Sequence, residues 1–168
     1  NTAGYFQNEQ ELMPRFSLIL NSRIESSAID YIGESNNYGV DSTTITFSTK
    51  DSLAGFKTAV KYSLSPTDMV YSSISRGYKS GGINQNPYLG RSNRAYEPEF
   101  NLNYEAGYKS VTTASQLQLT LFYMSRQNQQ VNISNQQEEG NPNSFYFYTA
   151  NAATGSNYGA EFDHWTQL

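Results

Sequence analysis

Cysteine is absent from the 168 residues, which removes disulfide frameworks, zinc ribbons and thiol catalysis together. Its absence is compatible with an oxidising compartment whose proteins avoid stray thiols. Histidine occurs once, as His164, so a His-based triad or metal centre would rest on a single residue near the chain end. Charged residues make up 15% of the chain, against roughly 25% in an average globular domain. The net charge of -4 excludes a generic basic nucleic-acid binder. No run approaches the roughly 18 apolar residues of a transmembrane helix. Ala, Glu, Lys and Leu are scarce, which argues against a helical bundle. The sequence starts at Asn1 without a signal peptide and is read as a processed form or an excerpt.

Polarity comes instead from uncharged side chains: 21 Ser, 17 Asn, 13 Thr and 11 Gln. Aromatic residues reach 14%, with 14 Tyr and 9 Phe against a single Trp, too many for a disordered tail. The dominant period is two. Phe16, Leu18, Leu20, Ser22 and Ile24 alternate with Arg15, Ser17, Ile19, Asn21 and Arg23. Phe56, Thr58, Val60, Tyr62 and Leu64 do so with Lys57, Ala59, Lys61 and Ser63. The cleanest set is Phe100, Leu102, Tyr104, Ala106 and Tyr108 against Asn101, Asn103, Glu105, Gly107 and Lys109. Leu117, Leu119, Leu121 and Tyr123 follow, and then Tyr158, Ala160 and Phe162. Successive strand side chains point to opposite faces, so each segment has one apolar and one polar face. Met69 to Tyr78 reads as a further strand with weaker alternation, and no helix is expected.

Short connections fall near Glu11–Pro14, Ser65–Asp68 and Val111–Ser115, where Pro, Asp and Thr supply turn chemistry. Long ones near Tyr31–Ser52, Lys79–Glu97 and Gln127–Phe145 are rich in Gly, Asn, Ser and Gln. Short and long alternate, so an antiparallel meander puts every short turn at one end and every long loop at the other. Long structureless loops are uncommon in compact soluble domains, whereas tight turns opposite long loops characterise outer-membrane barrels. A soluble β-sandwich, for instance a carbohydrate- or ligand-binding module, shares the alternation. The loop asymmetry and the Asn/Gln/Ser/Gly-rich polar face favour the barrel.

Thr67–Gln85, TDMVYSSISRGYKSGGINQ, resembles the "vYasySrGYksGGfn" signature of TonB-dependent outer-membrane receptors. Glu97–Ser110, EPEFNLNYEAGYKS, resembles the family's "yePEts.nYElGyKs" strand, and Gln116–Val131 its "rl.ln.a.Fy.d..dqQv" strand. Asn157–Asp163, NYGAEFD, is similar to the "..GvEle" strand. Upstream, Tyr5–Glu25 resembles the "fgq..y.lt.rlsLt.GlRye" hairpin, with Asn21 where Gly is usual. The pieces cover nearly the whole chain in family order.

The resemblance implies an all-β fold: an antiparallel up-and-down meander of about seven strands, part of a transmembrane barrel of 22. Residues 1–168 would be a partial TonB-dependent receptor β-barrel domain, with neither plug domain nor TonB box nor closing aromatic strand. The parent would sit in the outer membrane of a Gram-negative bacterium, among outer-membrane lipid. It would bind and import a scarce nutrient such as a ferric siderophore, driven by the TonB complex through a plug absent from this chain. No catalysis, cofactor, metal or nucleic-acid partner is expected.

Between Met69 and Tyr96 there is no Asp or Glu, while Arg76, Lys79, Arg91 and Arg94 are basic. Such a stretch on an extracellular loop would attract anions. The expected ligand contacts are therefore loop-borne: Arg76, Tyr78, Lys79, Arg91 and Arg94, with Gln129 and Gln130 behind them. The same basic residues would also suit lipid A phosphates.

Other motifs carry less. Gly77-Tyr78-Lys79-Ser80 has the residue types of a phosphate loop but lacks the GK[ST] adjacency. Gly81-Gly82 is read as a sharp exit from a strand. Glu138-Glu139 reads as solvated loop charge, and Asn132-Ile133-Ser134 as a glycosylation sequon without meaning in a bacterium. His164, between Asp163 and Trp165, reads as a strand-end residue.

The alternation also fixes an expected facing. Leu102, Tyr104, Ala106 and Tyr108 should meet the membrane, and Asn103, Glu105, Gly107 and Lys109 the lumen. Lys57, Lys61 or Glu161 would then be partners for Glu105 and Lys109. Ala106→Arg should harm folding far more than Gly107→Arg.

Overall fold

The computed structural model describes residues 1–35, 43–86 and 89–167. Seven long strands form one antiparallel sheet: β1 (Thr2–Met13), β2 (Phe16–Ser35), β3 (Thr43–Ser63), β4 (Asp68–Lys79), β7 (Glu99–Val111), β8 (Ser115–Gln127) and β11 (Gly155–Thr166). Their spatial order is β1-β2-β3-β4-β7-β8-β11, an up-and-down meander as expected. Two small hairpins interrupt it: β5 (Gly82–Ile83) with β6 (Ala95–Tyr96), and β9 (Gln130–Gln136) with β10 (Phe145–Asn151).

The register extends the alternation of single strands across the sheet. Phe16, Tyr62, Val70, Tyr108, Leu119 and Phe162 are successive cross-strand partners and share one face. So do Leu18, Val60, Ser72, Ala106, Leu121 and Ala160. On the opposite face the corresponding row is Ser17, Lys61, Tyr71, Gly107, Thr120 and Glu161.

Burial is inverted relative to a soluble core. The apolar face is the open one, with Tyr104 45%, Leu121 55% and Phe162 65% exposed. The sheltered side chains Ser27, Ser73 and Thr120 are on the polar face. Among the described residues only Leu53, Ala59 and Leu89 are buried hydrophobics. A water-soluble sandwich would bury its apolar face against a second sheet, and among the described residues no second layer covers it.

The expected facing of β7 agrees with this division, but two of its details do not. Gly107 is not an open position: a Cβ there would lie 2.5 Å from the Tyr71 ring. That ring covers the glycine and places its hydroxyl 3.0 Å from Thr120 Oγ1, two strands from its own. Phe122 covers Gly159 in the same manner. A side chain at Gly107 must therefore displace the Tyr71 ring, a cost that the expected contrast with Ala106→Arg leaves out. The expected partners also differ, because Lys61 pairs with Glu9, and Glu105 accepts from Asn103 Nδ2 at 2.7 Å.

The short turns fall where Pro14, Ser65–Asp68 and Thr112 put them. Arg15 closes the first with φ 71°. In the second, Asp68 accepts from Ser65 Oγ, from Thr67 Oγ1 at 2.8 Å and from Tyr108 at 2.6 Å. These bonds, that from Ser65 foremost, hold its carboxyl well below the usual carboxylate range.

The long connections are more ordered than expected. Tyr31–Ser35 and Thr43–Ser52 are strand, paired as far as Ser35 opposite Thr43. The rest of that connection, 36–42, lies outside the described residues. The second connection holds β5, a 3-10 turn at Arg91–Asn93, and β6. The third holds β9, which pairs over seven residues with β10, the strand that begins at its far end, Phe145.

Candidate functional site

At the loop end the sheet forks. Pairing of β3 with β4 stops at Phe56 opposite Arg76, while β4 stays paired with β7 up to Lys79 opposite Glu99. Beyond that point β2 and β3 continue as a separate arm. Tyr78, Arg76 and Gly81 make contacts that bridge the fork. The Tyr78 ring packs over Gly55, where a Cβ would lie 3.2 Å from it. Its hydroxyl donates to Glu25 Oε2 and accepts from Arg23 Nε, both at 3.0 Å, beside the Arg23–Glu25 ion pair. Arg76 Nη1 donates to the Ala54 carbonyl, and Gly81 N to Asp51 Oδ2 at 3.2 Å.

A cleft of about 460 Å³ opens at the fork. Arg23, Lys57 and Arg76 contribute three cations to its lining, Tyr5, Phe6, Phe56 and Tyr78 contribute rings, and no carboxylate lines it.

Next to the fork, the second and third connections are stitched into one cap by side-chain amides. Asn84 Nδ2 donates to the Thr149 carbonyl at 2.7 Å, and Thr149 N donates back to Asn84 Oδ1 at 2.8 Å. Asn151 bonds reciprocally with the backbone of Glu97 at 2.7 and 2.9 Å. Gln130 donates to the Ser80 and Glu97 carbonyls from its side chain and to Glu99 from its backbone. Such bonds supply for irregular backbone the pairing that a ladder supplies within a sheet.

The expected contact residues are thus dispersed. Arg76, Tyr78 and Lys79 lie on β4, not on a loop. Arg76 is stacked over Phe100 at 4.1 Å, and the Lys79 side chain is exposed. Arg91 is exposed on the 3-10 turn, whereas Arg94 is only 3% exposed and its carbonyl accepts from Asn84 N. Gln129 packs against Gly155, and its carbonyl accepts from Ala152 N. Sequence reasoning missed Asn84, Asn151 and Asp51, since an Asn in a Gly/Asn-rich loop carries no periodic signal. Gly81 and Gly82 are needed for close packing rather than for a sharp exit: added Cβ atoms would lie 2.6 Å from the Tyr96 carbonyl oxygen and 2.2 Å from its hydroxyl.

The remaining motifs stay bland. His164 Nε2 is 3.3 Å from Ser115 Oγ. Glu138 accepts from Asn141 within its own turn. Among the described residues no group of three or more His, Asp or Glu is placed to hold a metal ion.

A single-layer antiparallel sheet, apolar side outward, tight turns at one end and an ordered loop cap at the other, defines a section of β-barrel wall. The sequence matches the family described as TonB dependent receptor-like, beta-barrel over residues 1–168, and the chain belongs to that family. Solved structures share the fold. The ferric yersiniabactin uptake receptor FyuA from Yersinia pestis superposes with TM-score 0.74 at 22% identity, over 96% of this chain and 23% of that one. The ferric-catecholate import receptor Fiu from E. coli K12 gives TM-score 0.70 at 15% identity, over 99% and 25%. The hemophore receptor HasR of Serratia marcescens gives 0.59 at 13%, over 96% and 31%. The chain thus spans about a quarter of the length of the first two receptors. No curated protein matches the sequence.

Proposed function

We propose that the chain is part of the transmembrane wall of an outer-membrane import receptor in a Gram-negative bacterium. The carrying observation is the inverted burial. An apolar face with Leu121 and Phe162 open across a whole sheet is unfavourable in water and favourable in lipid. The polar face, with Lys61, Glu105 and Lys109, then lines a wet lumen.

The complete protein would capture a scarce nutrient outside the cell and pass it inward, with energy supplied by the TonB complex. FyuA and Fiu are named for ferric siderophores, and the cleft at the fork, lined by Lys57 and Arg76 as well as the Glu25-paired Arg23, suits an anionic cargo of that kind. Of the expected basic residues, Lys79 and Arg91 are exposed and offered to it, while Tyr78, Arg94, Gln129 and Gln130 support the loops behind them. The process is binding and gated passage, without bond-making chemistry. The test is uptake of iron-loaded siderophores by cells carrying the full-length parent. Import that vanishes on deleting TonB supports the reading. Import independent of TonB, or a parent that purifies as a soluble monomer without detergent, overturns it and favours a ligand-binding sandwich.

A further inference from the structure

Arg76 is out of place on its face. From Phe16, Tyr62, Val70, Tyr108, Leu119 and Phe162 up to the register position of Arg76, the apolar face carries no other charged side chain. Within β4 that face reads Val70, Ser72, Ile74 and then Arg76, eight residues past Asp68 at the turn. Strands cross the hydrocarbon in about 9–11 residues when tilted, so Arg76 falls at the outer end of the crossing. Its cross-strand partners agree: Ser22 and Ser125 share its register position along with Phe56 and Leu102. Serine thus replaces the larger apolar side chains on two of the strands in that row.

The guanidinium is held but not neutralised. Nη1 donates to the Ala54 carbonyl and the plane lies over Phe100, and neither partner carries a charge. Nε and Nη2 make no bond to the described residues. Phe6 and Phe56, 56% and 39% exposed, line the cleft beside it. A fixed cation at an apolar boundary, flanked by exposed rings, complements an amphiphile with an anionic head and acyl tails.

We propose that Arg76, with Phe56 and Phe6, binds a phosphate-bearing lipid of the outer leaflet: phosphate oxygens on the free guanidinium edge, acyl chain against the rings. This inference rests on the membrane reading above. It removes Arg76 from the cargo-contact set and gives it to the bilayer.

The test reconstitutes the full-length parent into nanodiscs of phosphatidylcholine containing a minor fraction of phosphatidylglycerol, and measures by native mass spectrometry the lipid that stays bound. The wild-type protein should retain phosphatidylglycerol over phosphatidylcholine. Arg76→Gln should weaken that preference about fivefold, and Arg76→Lys should restore part of it. Arg126→Gln, on the polar face, should leave it unchanged. Equal retention in wild type and Arg76→Gln, or an equal loss in Arg126→Gln, overturns the proposal. Competition by inorganic phosphate as effective as by the lipid would also overturn it, by making the site one for a free anion. All variants are first checked for barrel formation by resistance to unfolding in detergent. A wild-type protein that never enters a bilayer refutes the membrane reading instead, so the two failures are distinguishable.

Discussion

The wall and the cap are built by different means. In the wall, a continuous backbone ladder joins seven strands, and side chains only decide which face meets which medium. In the cap, the small hairpins join each other and the wall through single side chains, Asn84 to Thr149, Asn151 to Glu97, Gln130 to Ser80. A ladder distributes stability over many equivalent bonds, so losing one side chain rarely breaks it. A stitched cap concentrates stability in a few amides. Wall substitutions should therefore act through the medium they face, and cap substitutions through the bond they remove.

The largest effect should come from charge on the apolar face of the wall. Ala106→Arg in the full-length parent should cost about 2–4 kcal/mol of folding free energy in bilayers and lower the yield of folded barrel. Gln118→Glu on the polar face, directly opposite Lys109 and in a cleft lined also by Lys57 and Lys61, should be tolerated. Folding into vesicles, read by heat-sensitive gel mobility, separates the two.

Asn84→Ala should act next, and only on the cap. It removes both halves of the bond pair with Thr149 and the bond to the Asn93 carbonyl, each worth about 1 kcal/mol. Hydrogen exchange should speed up in β9, β10 and 80–97 while β7 and β8 stay protected. Equal acceleration in both regions would dissolve the distinction between them.

A smaller loss belongs to the joint within the wall. Gly107→Ala pushes the Tyr71 ring off its seat, and Tyr71→Phe removes the bond to Thr120 at a cost of about 0.5–1.5 kcal/mol. Combining the two should cost less than the sum, because both disturb one contact; a double-mutant cycle by denaturant titration reads this.

The smallest effect is a pH dependence at the turn. The Asp68 carboxyl titrates lower in the folded protein than its unfolded value of about 4. Its stabilisation is therefore present above that value and is lost as pH falls toward the folded one. Melting temperature should decline below about pH 4 in the wild type, and less steeply in Asp68→Asn, which starts lower.

The same contrast explains what the sequence made legible. Wall strands announce themselves because each must satisfy two media at once, which imposes a period of two over ten residues or more. Loop asymmetry came from the same source: Pro14, Ser65–Asp68 and Thr112 mark turns with their own chemistry. Cap elements answer to no such rule. β9 is mostly Asn, Gln and Ser and passed for loop, and β10, which reads FYFYTAN without alternation, was left unassigned. The β2–β3 arm beyond the fork was missed likewise, since Ser, Thr and Asp break its pattern. Arg76 was misplaced because its charge suggested a loop, whereas its register position puts it on the apolar face, opposite Phe56 and Leu102. Buried Arg94 shows that basicity alone does not signal exposure.

The central claim is that one face of this sheet meets lipid and the other water. Nitroxide labels at single cysteines replacing residues 102 to 109 of the full-length parent, omitting Gly107, test it directly through collisions with oxygen and with a water-soluble nickel chelate. The expected result has a period of two: oxygen dominates at positions 102, 104, 106 and 108, and the chelate at 103, 105 and 109. Alternation of the opposite phase, or chelate access at all seven positions, would contradict it.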